Sequence, residues 1–217
     1  MRYEKKFRIS RSDFPLFLSL INKLKYKKHY ESRFISSIYY DTINFNLYRD
    51  SINGVCNRRK YRARFYNDNF EEINFEEKIK ISDLGYKKTH STKDFKNINK
   101  IKLFLKIDKR YKEVLIPSRF LNIYYPVSFI NYFRSYFISY DSKTRITYDE
   151  KINYSKIINR KNDLSLLTKI PDKLGVIEIK YDEENDIAKN SIFYLTSSLN
   201  FHLSRNSKYC NSIECLF

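Results

Sequence analysis

Short segments in which hydrophobic and polar residues alternate recur along the chain, and this period of two is typical of β-strands with one apolar and one polar face. Segments 2–9 and 73–81 show the alternation most clearly, and others are rich in β-branched and aromatic residues. The predicted strands are 2–9, 34–42, 58–66, 73–81, 126–139, 142–149 and 175–182, and 84–90 continues the meander. Turn residues between 58–66 and 73–81, and between 126–139 and 142–149, predict two hairpins.

Apolar residues at intervals of three and four predict helices in other parts of the chain. The first predicted helix, 11–26, has Ser12 or Asp13 as its cap and Pro15 in its first turn. The remaining predicted helices are 91–106, a weaker stretch at 108–125, and 186–203. No repeat or linker divides the sequence, so we predict a single α+β domain over residues 1–217, built on an antiparallel sheet.

Basic residues occupy alternate positions of the predicted strand 58–66. Because successive side chains of a strand point to opposite faces, Lys60, Arg62 and Arg64 share one face. Two like charges at this spacing repel by about 2.5 kcal/mol at an effective dielectric near 20, and by only a few tenths in bulk water. The row therefore costs little free energy on a solvated face, whereas on an enclosed face it requires a compensating anion.

Three predicted strands carry a Glu-x-Lys pair on the same face, and the pairs are Glu4 and Lys6, Glu76 and Lys78, and Glu178 and Lys180. The opposite faces of these strands are apolar and are expected to pack under the helices, which leaves the charged faces together. A single pair of this kind is typical of a solvated face, but Glu178 and Lys180 lie in VIEIKY (176–181), among residues too apolar for an edge strand. If the sheet closes into a barrel, however, its lumen becomes a basic tunnel with a few carboxylates, suited to a phosphate chain and a divalent cation.

Composition agrees with a packed protein that binds an anion. Hydrophobic residues make up 42% of the 217 residues, and only 3 Gly and 4 Pro are present. Neither GxGxxG nor GxxxxGK[ST] occurs, which disfavours a Rossmann or P-loop nucleotide site. The formal net charge of +17 favours a polyanionic partner such as nucleic acid, an anionic membrane surface or a phosphate chain. A compositional bias toward Lys, Asn, Ile and Tyr explains part of this charge.

The cysteines and the hydropathy profile indicate in which cellular compartment the protein is expected. Cys56, Cys210 and Cys215 are odd in number and lack CxxC spacing, so a disulfide framework or a zinc site is disfavoured and a reducing cytosol fits best. No leader-like segment and no apolar run of about 18 residues is found. We therefore expect a soluble, cytoplasmic protein.

Eight short motifs, in order along the chain, resemble the vacuolar transporter chaperone (VTC) polyphosphate polymerase domain, a branch of the triphosphate tunnel metalloenzymes. They are RYEKKF (2–7), YYDT (39–42), KYRARFY (60–66), FEEK (75–78), NYFR (131–134), RITYDEKI (145–152), VIEIKY (176–181) and SRNSKYC (204–210). The related cyclase and thiamine-triphosphatase branch opens with ExExK. Arg2 replaces the first carboxylate here, and the resulting RxExK is the polymerase-like form.

The resemblance implies a fold, an activity and partners. The fold is an antiparallel β-barrel that forms a triphosphate tunnel, with helices packed outside. The activity is the metal-dependent transfer of the γ-phosphoryl of ATP or another nucleoside triphosphate onto a polyphosphate chain, with Mn²⁺ or Mg²⁺ as cofactor. Only the catalytic-type domain is expected within residues 1–217, so that export of the product through a membrane would require a partner protein.

The resemblance and the charged rows together give the candidate site residues. Arg62, Arg64, Lys6 and Lys78 are the expected catalytic residues, and the two arginines are expected to neutralise charge on the phosphoryl group being moved. The expected substrate-binding residues are Lys60, Lys80, Lys87, Arg134, Arg145, Lys180, Lys208 and Tyr39. The expected metal ligands are Glu178 first, then Glu4 and Glu76. Lys208 is expected at the end of the last helix region, where it could cover a tunnel mouth.

Two other functions remain open on the sequence. The same tunnel could hydrolyse tripolyphosphate or a nucleoside triphosphate, with water replacing the acceptor phosphate. Alternatively, the domain could bind polyphosphate or nucleic acid without catalysis. Nucleic acid is the less favoured partner, because the alternation directs the charge inward and no aromatic RNA-binding motif is present.

Overall fold

The structure is a computed structural model that describes residues 2–82, 84–91, 98–105, 110–117, 123–160, 163–182, 185–197, 199 and 201–217. The strands in these ranges are β1 (Arg2–Ser10), β2 (Lys27–Lys28), β3 (Arg33–Asp41), β4 (Asn57–Tyr66), β5 (Asn69–Ile81), β6 (Leu84–Ser91), β7 (Ile98–Leu105), β8 (Arg110–Pro117), β9 (Tyr125–Ile138), β10 (Arg145–Arg160), β11 (Asp163–Pro171) and β12 (Leu174–Asp182). The helices are α1 (Phe14–Lys23), α2 (Asn46–Ile52), α3 (Asp186–Ser197) and α4 (Lys208–Leu216), and a short 3₁₀ turn, Arg11–Asp13, precedes α1.

The strands pair mostly antiparallel. Hydrogen bonds connect them in the order β6-β5-β4-β3-β9-β10-β11-β7-β8, while β12 pairs with β1 and β10, and β2 pairs with β9. The pair of β11 and β7 is parallel. The strands of both predicted hairpins, β4 with β5 and β9 with β10, are neighbours in this order. The predicted bounds of these four strands agree with the structure to within a few residues, except that β5 begins earlier and β10 ends later than predicted.

The chain divides into two compact units. The first unit comprises Met1–Phe34, Tyr132–Ile152 and Pro171–Ser207, and the second comprises Ile35–Asn131, Asn153–Ile170 and Lys208–Phe217. Strands β3, β9, β10 and β11 contribute residues to both units. A single domain over residues 1–217 stays a prediction of the sequence.

Each unit has its own hydrophobic core, formed by the apolar faces that the alternation predicted. In the first unit, Phe7 of β1 and Ile177 of β12 are fully buried and lie in one cluster with Phe17 of α1 and Leu195 of α3. In the second unit, the corresponding cluster includes Ala63 and Phe65 of β4, Phe75 of β5 and Leu47 of α2. Burying one face of each strand in this way turns the alternate, charged residues to the other face.

Two predicted helices are wrong. The segment predicted as a helix over 91–106 contains β7, and the segment over 108–125 contains β8; the rest of both segments lies partly outside the described residues. In the sequence of β7, INKIKLFL, Lys100 and Lys102 alternate with apolar residues, as in a strand. The helix prediction rested instead on a few apolar residues at intervals of three and four. β7 pairs with β8 along its full length, and this pairing favours the strand over the helix.

The C-terminal region differs from the prediction as well. The helix predicted over 186–203 ends at Ser197, and a separate helix, α4, begins at Lys208. Lys208 therefore starts a helix instead of ending one. None of the helices in the described ranges is both long and apolar enough to cross a membrane.

Candidate functional site

A cationic face runs across β4, β5 and β6 in the second unit. The strand register places Lys60 opposite Lys78, and Lys78 opposite Lys87, so that three lysines lie side by side on adjacent strands. In the neighbouring rows, Arg58 lies opposite Lys80 and Arg62 lies opposite Glu76. The residues of this cationic face are Arg58, Lys60, Arg62, Arg64, Lys78, Lys80 and Lys87, with Glu76 among them. Like charges directly opposite each other destabilise a sheet, so the face favours an anionic ligand.

Glu76 is the centre of an ion-pair network on the cationic face. Its side chain is 4% exposed. Arg62 Nε donates to Glu76 Oε2 at 2.6 Å, and a second guanidinium nitrogen of Arg62 contacts the same oxygen. Arg64 Nη1 lies 3.8 Å from Oε2, and Lys87 Nζ lies 3.3 Å from Oε1. Lys87, which the sequence predicts as a substrate-binding residue, reaches this network.

The network keeps Glu76 ionised. Burial alone would raise the pKa of this carboxyl, but the charges of Arg64, Arg62 and Lys87 outweigh burial and lower the pKa to about 2. The two arginines are in turn brought close together by a carboxylate that neutralises only part of their charge. Glu76 as a metal ligand stays a prediction, and its present partners are cations.

Tyr39 of β3 lies at the edge of the same network. The register places it opposite Arg62, and Arg62 Nη1 donates a hydrogen bond to the Tyr39 hydroxyl at 2.9 Å. Burial opposes ionisation of Tyr39, but Arg62 and Arg64 outweigh burial and lower the pKa of the phenol to about 8. A phenol with this pKa reports a strongly positive environment, as a site for phosphate requires.

The first unit contains a ring of alternating charges on β1 and β12. The register places Glu4 opposite Lys180 and Lys6 opposite Glu178. Lys6 Nζ lies 2.7 Å from Glu4 Oε1 and 3.9 Å from Glu178 Oε2. Lys180 Nζ lies 2.7 Å from Glu178 Oε1 and 3.8 Å from Glu4 Oε2. Lys6 Nζ also donates to the backbone carbonyl of Asn206 at 3.2 Å.

Glu178 is the most buried member of this ring. Burial would raise the pKa of Glu178, but Lys180, Lys6 and Arg134 outweigh burial and hold the pKa well below its usual range. Arg134 itself forms a bidentate ion pair with the fully buried Asp149, with its Nε 2.5 Å from Oδ1 and its Nη2 2.7 Å from Oδ2. The register places Arg145 of β10 opposite Lys180, at the edge of the ring.

Glu4 and Glu178 are the two carboxylates of this ring, and they are the residues that could hold a divalent cation together with phosphate oxygens. Both carboxylates lie within 4 Å of the same two ammonium groups, and Mg²⁺ commonly uses one or two carboxylates together with substrate phosphates and water. Phosphate oxygens would give Lys6 and Lys180 alternative partners and leave carboxylate oxygens for the cation. No cluster of three or more His, Cys, Asp or Glu side chains that could hold a metal by itself occurs in the ranges that the structure describes.

The structure thus brings most of the predicted residues together within each unit. The second unit joins Tyr39, Arg62, Arg64, Glu76 and Lys87 by direct contacts and aligns Lys60, Lys78 and Lys80 with them. The first unit joins Glu4, Lys6, Glu178 and Lys180, and adds Arg134 and Arg145. Lys208 starts α4 in the second unit.

Sequence reasoning missed three partners of these residues. Asp149 pairs with Arg134, and nothing in the sequence assigned it to that arginine. Tyr209 and Cys210 of α4 contact Tyr39 and Lys60. The motif SRNSKYC contains both residues, and only Lys208 was selected from it.

Comparisons with solved structures give the fold. A protein from Hippeastrum, named "putative adenylyl cyclase HpAC1", has a TM-score of 0.51 and 12% sequence identity, over 100% of this chain and 97% of that one. A "putative adenylate cyclase" from Vibrio parahaemolyticus has a TM-score of 0.47 and 15% identity, over 97% of each chain. A search of curated proteins found no relative that matches the sequence.

At 12% identity, the likeness to the Hippeastrum protein concerns the fold alone. The predicted fold class is confirmed: the chain has a mostly antiparallel sheet of the triphosphate tunnel type, with helices outside it. The VTC domain family matches residues 1–217. This match, over the whole length of the sequence, shows that the protein belongs to the VTC domain family.

Proposed function

We propose that this protein is a polyphosphate polymerase that transfers the γ-phosphoryl group of a nucleoside triphosphate onto a polyphosphate chain. The observation that carries the proposal is the cationic face, in which three lysines lie directly opposite one another beside two arginines that share a single carboxylate. A row of this kind is compensated best by an anion that carries a charge at every few ångströms. Linked phosphates have that charge spacing.

The proposed step needs little covalent chemistry from the protein. A terminal oxygen of the acceptor chain attacks the γ-phosphorus, the bond from this phosphorus to the bridging oxygen breaks, and a nucleoside diphosphate leaves while the chain gains one phosphate. Catalysis of phosphoryl transfer rests on positioning and on stabilising charge in the transition state. We assign this role to Arg62 and Arg64, because Glu76 holds both guanidinium groups in place from one side.

The other candidate residues bind and align the phosphates in this proposal. Lys78 and Lys6 complete the catalytic set, and Lys60, Lys80, Lys87, Arg134, Arg145, Lys180 and Lys208 contact phosphate oxygens. Glu178 and Glu4 would hold Mn²⁺ or Mg²⁺, which when bound neutralises charge on the phosphate oxygens. The assay partners are therefore ATP, the divalent cation and polyphosphate.

The activity test uses the purified protein with ATP and Mn²⁺. We expect ADP to appear together with polyphosphate, detected as a ladder on a polyacrylamide gel. Glu178→Gln should lose most of the turnover and retain binding of tripolyphosphate, because it removes a ligand of the cation and leaves Lys6 and Lys180 in place. Glu31→Gln is the matched control, because Glu31 is 90% exposed and lies in no candidate site. Wild-type protein that yields neither ADP nor polyphosphate would contradict the proposal.

A hydrolase is the second candidate, and one observation favours it. The Hippeastrum protein of similar fold is described as having a dominant triphosphatase activity. In a hydrolase, water would replace the acceptor oxygen and the third phosphate would leave as free orthophosphate. The two functions differ in the phosphate balance of the same assay: orthophosphate equal to the ADP formed indicates hydrolysis, whereas chained phosphate equal to the ADP formed indicates polymerisation. Binding of tripolyphosphate without any ADP would instead indicate a non-catalytic binder.

A further inference from the structure

Helix α4 begins beside the cationic face of the second unit. Tyr209, its second residue, is 2% exposed. The ring of Tyr209 stacks on the ring of Tyr39, with the centroids 5.1 Å apart and the planes inclined by 15°. This contact connects the C-terminal helix to the strand residue that meets Arg62.

Asp41 anchors the other end of the Tyr209 side chain. The Tyr209 hydroxyl donates a hydrogen bond to Asp41 Oδ2, and Asp41 is fully buried. The same carboxylate accepts the backbone N–H groups of Thr42 at 2.7 Å, Leu47 at 2.9 Å and Tyr48 at 2.9 Å. Because so many donors converge on Asp41, its carboxylate cannot turn without leaving a buried N–H unsatisfied.

The protonation of Tyr209 supports this anchor. Burial, followed by the charge of Asp41, raises the pKa of the Tyr209 phenol. Tyr209 therefore remains a hydrogen-bond donor at neutral pH. Its ring is held at one end by this bond and along its face by Tyr39.

Tyr39 transmits this constraint to Arg62. The Tyr39 side chain is largely buried, and its hydroxyl accepts the bond from Arg62 Nη1 at 2.9 Å while Arg62 Nε is bound to Glu76 at 2.6 Å. The guanidinium plane is thus held along two edges. Loss of the Tyr39 contact would remove one of these two restraints on the orientation of the guanidinium group.

A second residue of α4 contacts the cationic face independently. Lys60 Nζ donates to Cys210 Sγ at 3.6 Å and lies 5.9 Å from the centre of the Tyr209 ring. The start of α4 therefore touches two cations that occupy alternate positions on β4, Lys60 directly and Arg62 through Tyr39. A helix docked only for stability would not need to meet the charged face of the strand.

We infer that Tyr209 is a positioning residue for the proposed phosphoryl transfer: braced by Asp41, it holds Tyr39, and Tyr39 holds Arg62 in the orientation that binds the transferred phosphoryl group. The inference rests on the proposed function for its effect on turnover. Its structural part concerns Arg62 and can be measured without any activity.

The test compares Tyr209→Leu, which removes the ring contact, with Tyr209→Phe, which keeps the ring and loses the bond to Asp41. Tyr40→Phe is the control, because Tyr40 is a buried neighbour of Tyr39 whose hydroxyl has no hydrogen-bond partner among the residues that the structure describes. The Nε–H resonance of Arg62 in ¹⁵N-labelled protein, assigned by its loss in Arg62→Lys, is recorded for each variant. In the same samples, kcat and KM are measured for formation of ADP from ATP.

We expect Tyr209→Leu to shift the Arg62 resonance and to lower kcat about tenfold with less than about a twofold change in KM. Tyr209→Phe should recover most of kcat, and Tyr40→Phe should match the wild type in both measurements. An unshifted Arg62 resonance in both Tyr209 variants would overturn the inference, and so would a shift of equal size in Tyr40→Phe. If the wild type lacks turnover, the proposed function fails, while the resonance still decides whether Tyr209 positions Arg62. If Tyr209→Leu does not fold, Tyr209→Phe decides alone: a shifted Arg62 resonance supports the inference, and an unshifted one overturns it.

Discussion

Replacement of Glu76 by Gln tests the electrostatic account of the cationic face. The carboxylate is 4% exposed and lies within 4 Å of three cationic side chains, those of Arg62, Arg64 and Lys87. Gln has nearly the same shape and can still accept a hydrogen bond from Arg62. The substitution therefore removes the charge and little else.

The size of the expected loss of stability in Glu76→Gln follows from the pKa of Glu76. The pKa is about 2 in the folded protein against an ordinary value of 4.5, and this difference corresponds to about 3 kcal/mol of stability contributed by the ionised form. Because the pKa is depressed by folding, the contribution is complete above pH 4.5 and is lost as the pH falls toward 2. Gln resembles the protonated carboxyl, so Glu76→Gln should cost about 3 kcal/mol at neutral pH and progressively less in acid.

The assay is urea unfolding followed by far-ultraviolet circular dichroism at a series of pH values. The quantity of interest is the difference in free energy of unfolding between the variant and the wild type. The pH-dependent contributions of the other carboxylates are the same in both proteins and cancel in this difference. Glu72→Gln is the matched control, since Glu72 lies on the same strand and is exposed. We expect tripolyphosphate to stabilise the Glu76→Gln variant at neutral pH at least as much as the wild type, because phosphate oxygens can replace the lost carboxylate.

Two results would refute this reasoning. A difference in free energy that stays constant from neutral pH to about pH 3 would show that the loss is due to packing and not to charge. A variant as stable as the wild type at neutral pH would show that the arginines need no counter-charge, and the cationic face would then be an ordinary solvated surface.

Two further substitutions test the first unit. Asp149→Asn should lower the free energy of unfolding by about 3 kcal/mol or more, because it leaves the guanidinium group of Arg134 buried without its counter-ion; urea unfolding measures this loss, and a change below about 1 kcal/mol would contradict it. Gly175→Ala should cost about 1–3 kcal/mol in thermal unfolding, because a Cβ there would lie 2.6 Å from the ring of Tyr148. Gly85→Ala, where a Cβ would meet nothing within 4 Å, is its control and should be close to neutral.

Local sequence was sufficient to predict the rows of charge. The alternation in KYRARF places Arg62 and Arg64 on one face and Ala63 and Phe65 on the other, whatever the rest of the chain does, because a strand has a period of two. The hairpin of β4 and β5 then brings Arg62 opposite Glu76 through a short turn. Sequence reasoning failed at β7, where lysines interrupt the apolar residues and helical and strand periods are both present over a short length.

The partners that hold these rows in place depend on the tertiary structure. Tyr209 meets Asp41 across 168 positions of the chain, and Lys6 meets the carbonyl of Asn206 across 200. Neither contact leaves a periodic trace in the sequence, because each side chain is placed by the packing of its own helix or strand and not by its neighbours along the chain. The sequence by itself determined which residues share a charged face, since backbone geometry alone decides that. Only the folded structure decided which buried groups orient Arg62, because a buried carboxylate such as Asp41 must collect donors from wherever packing brings them.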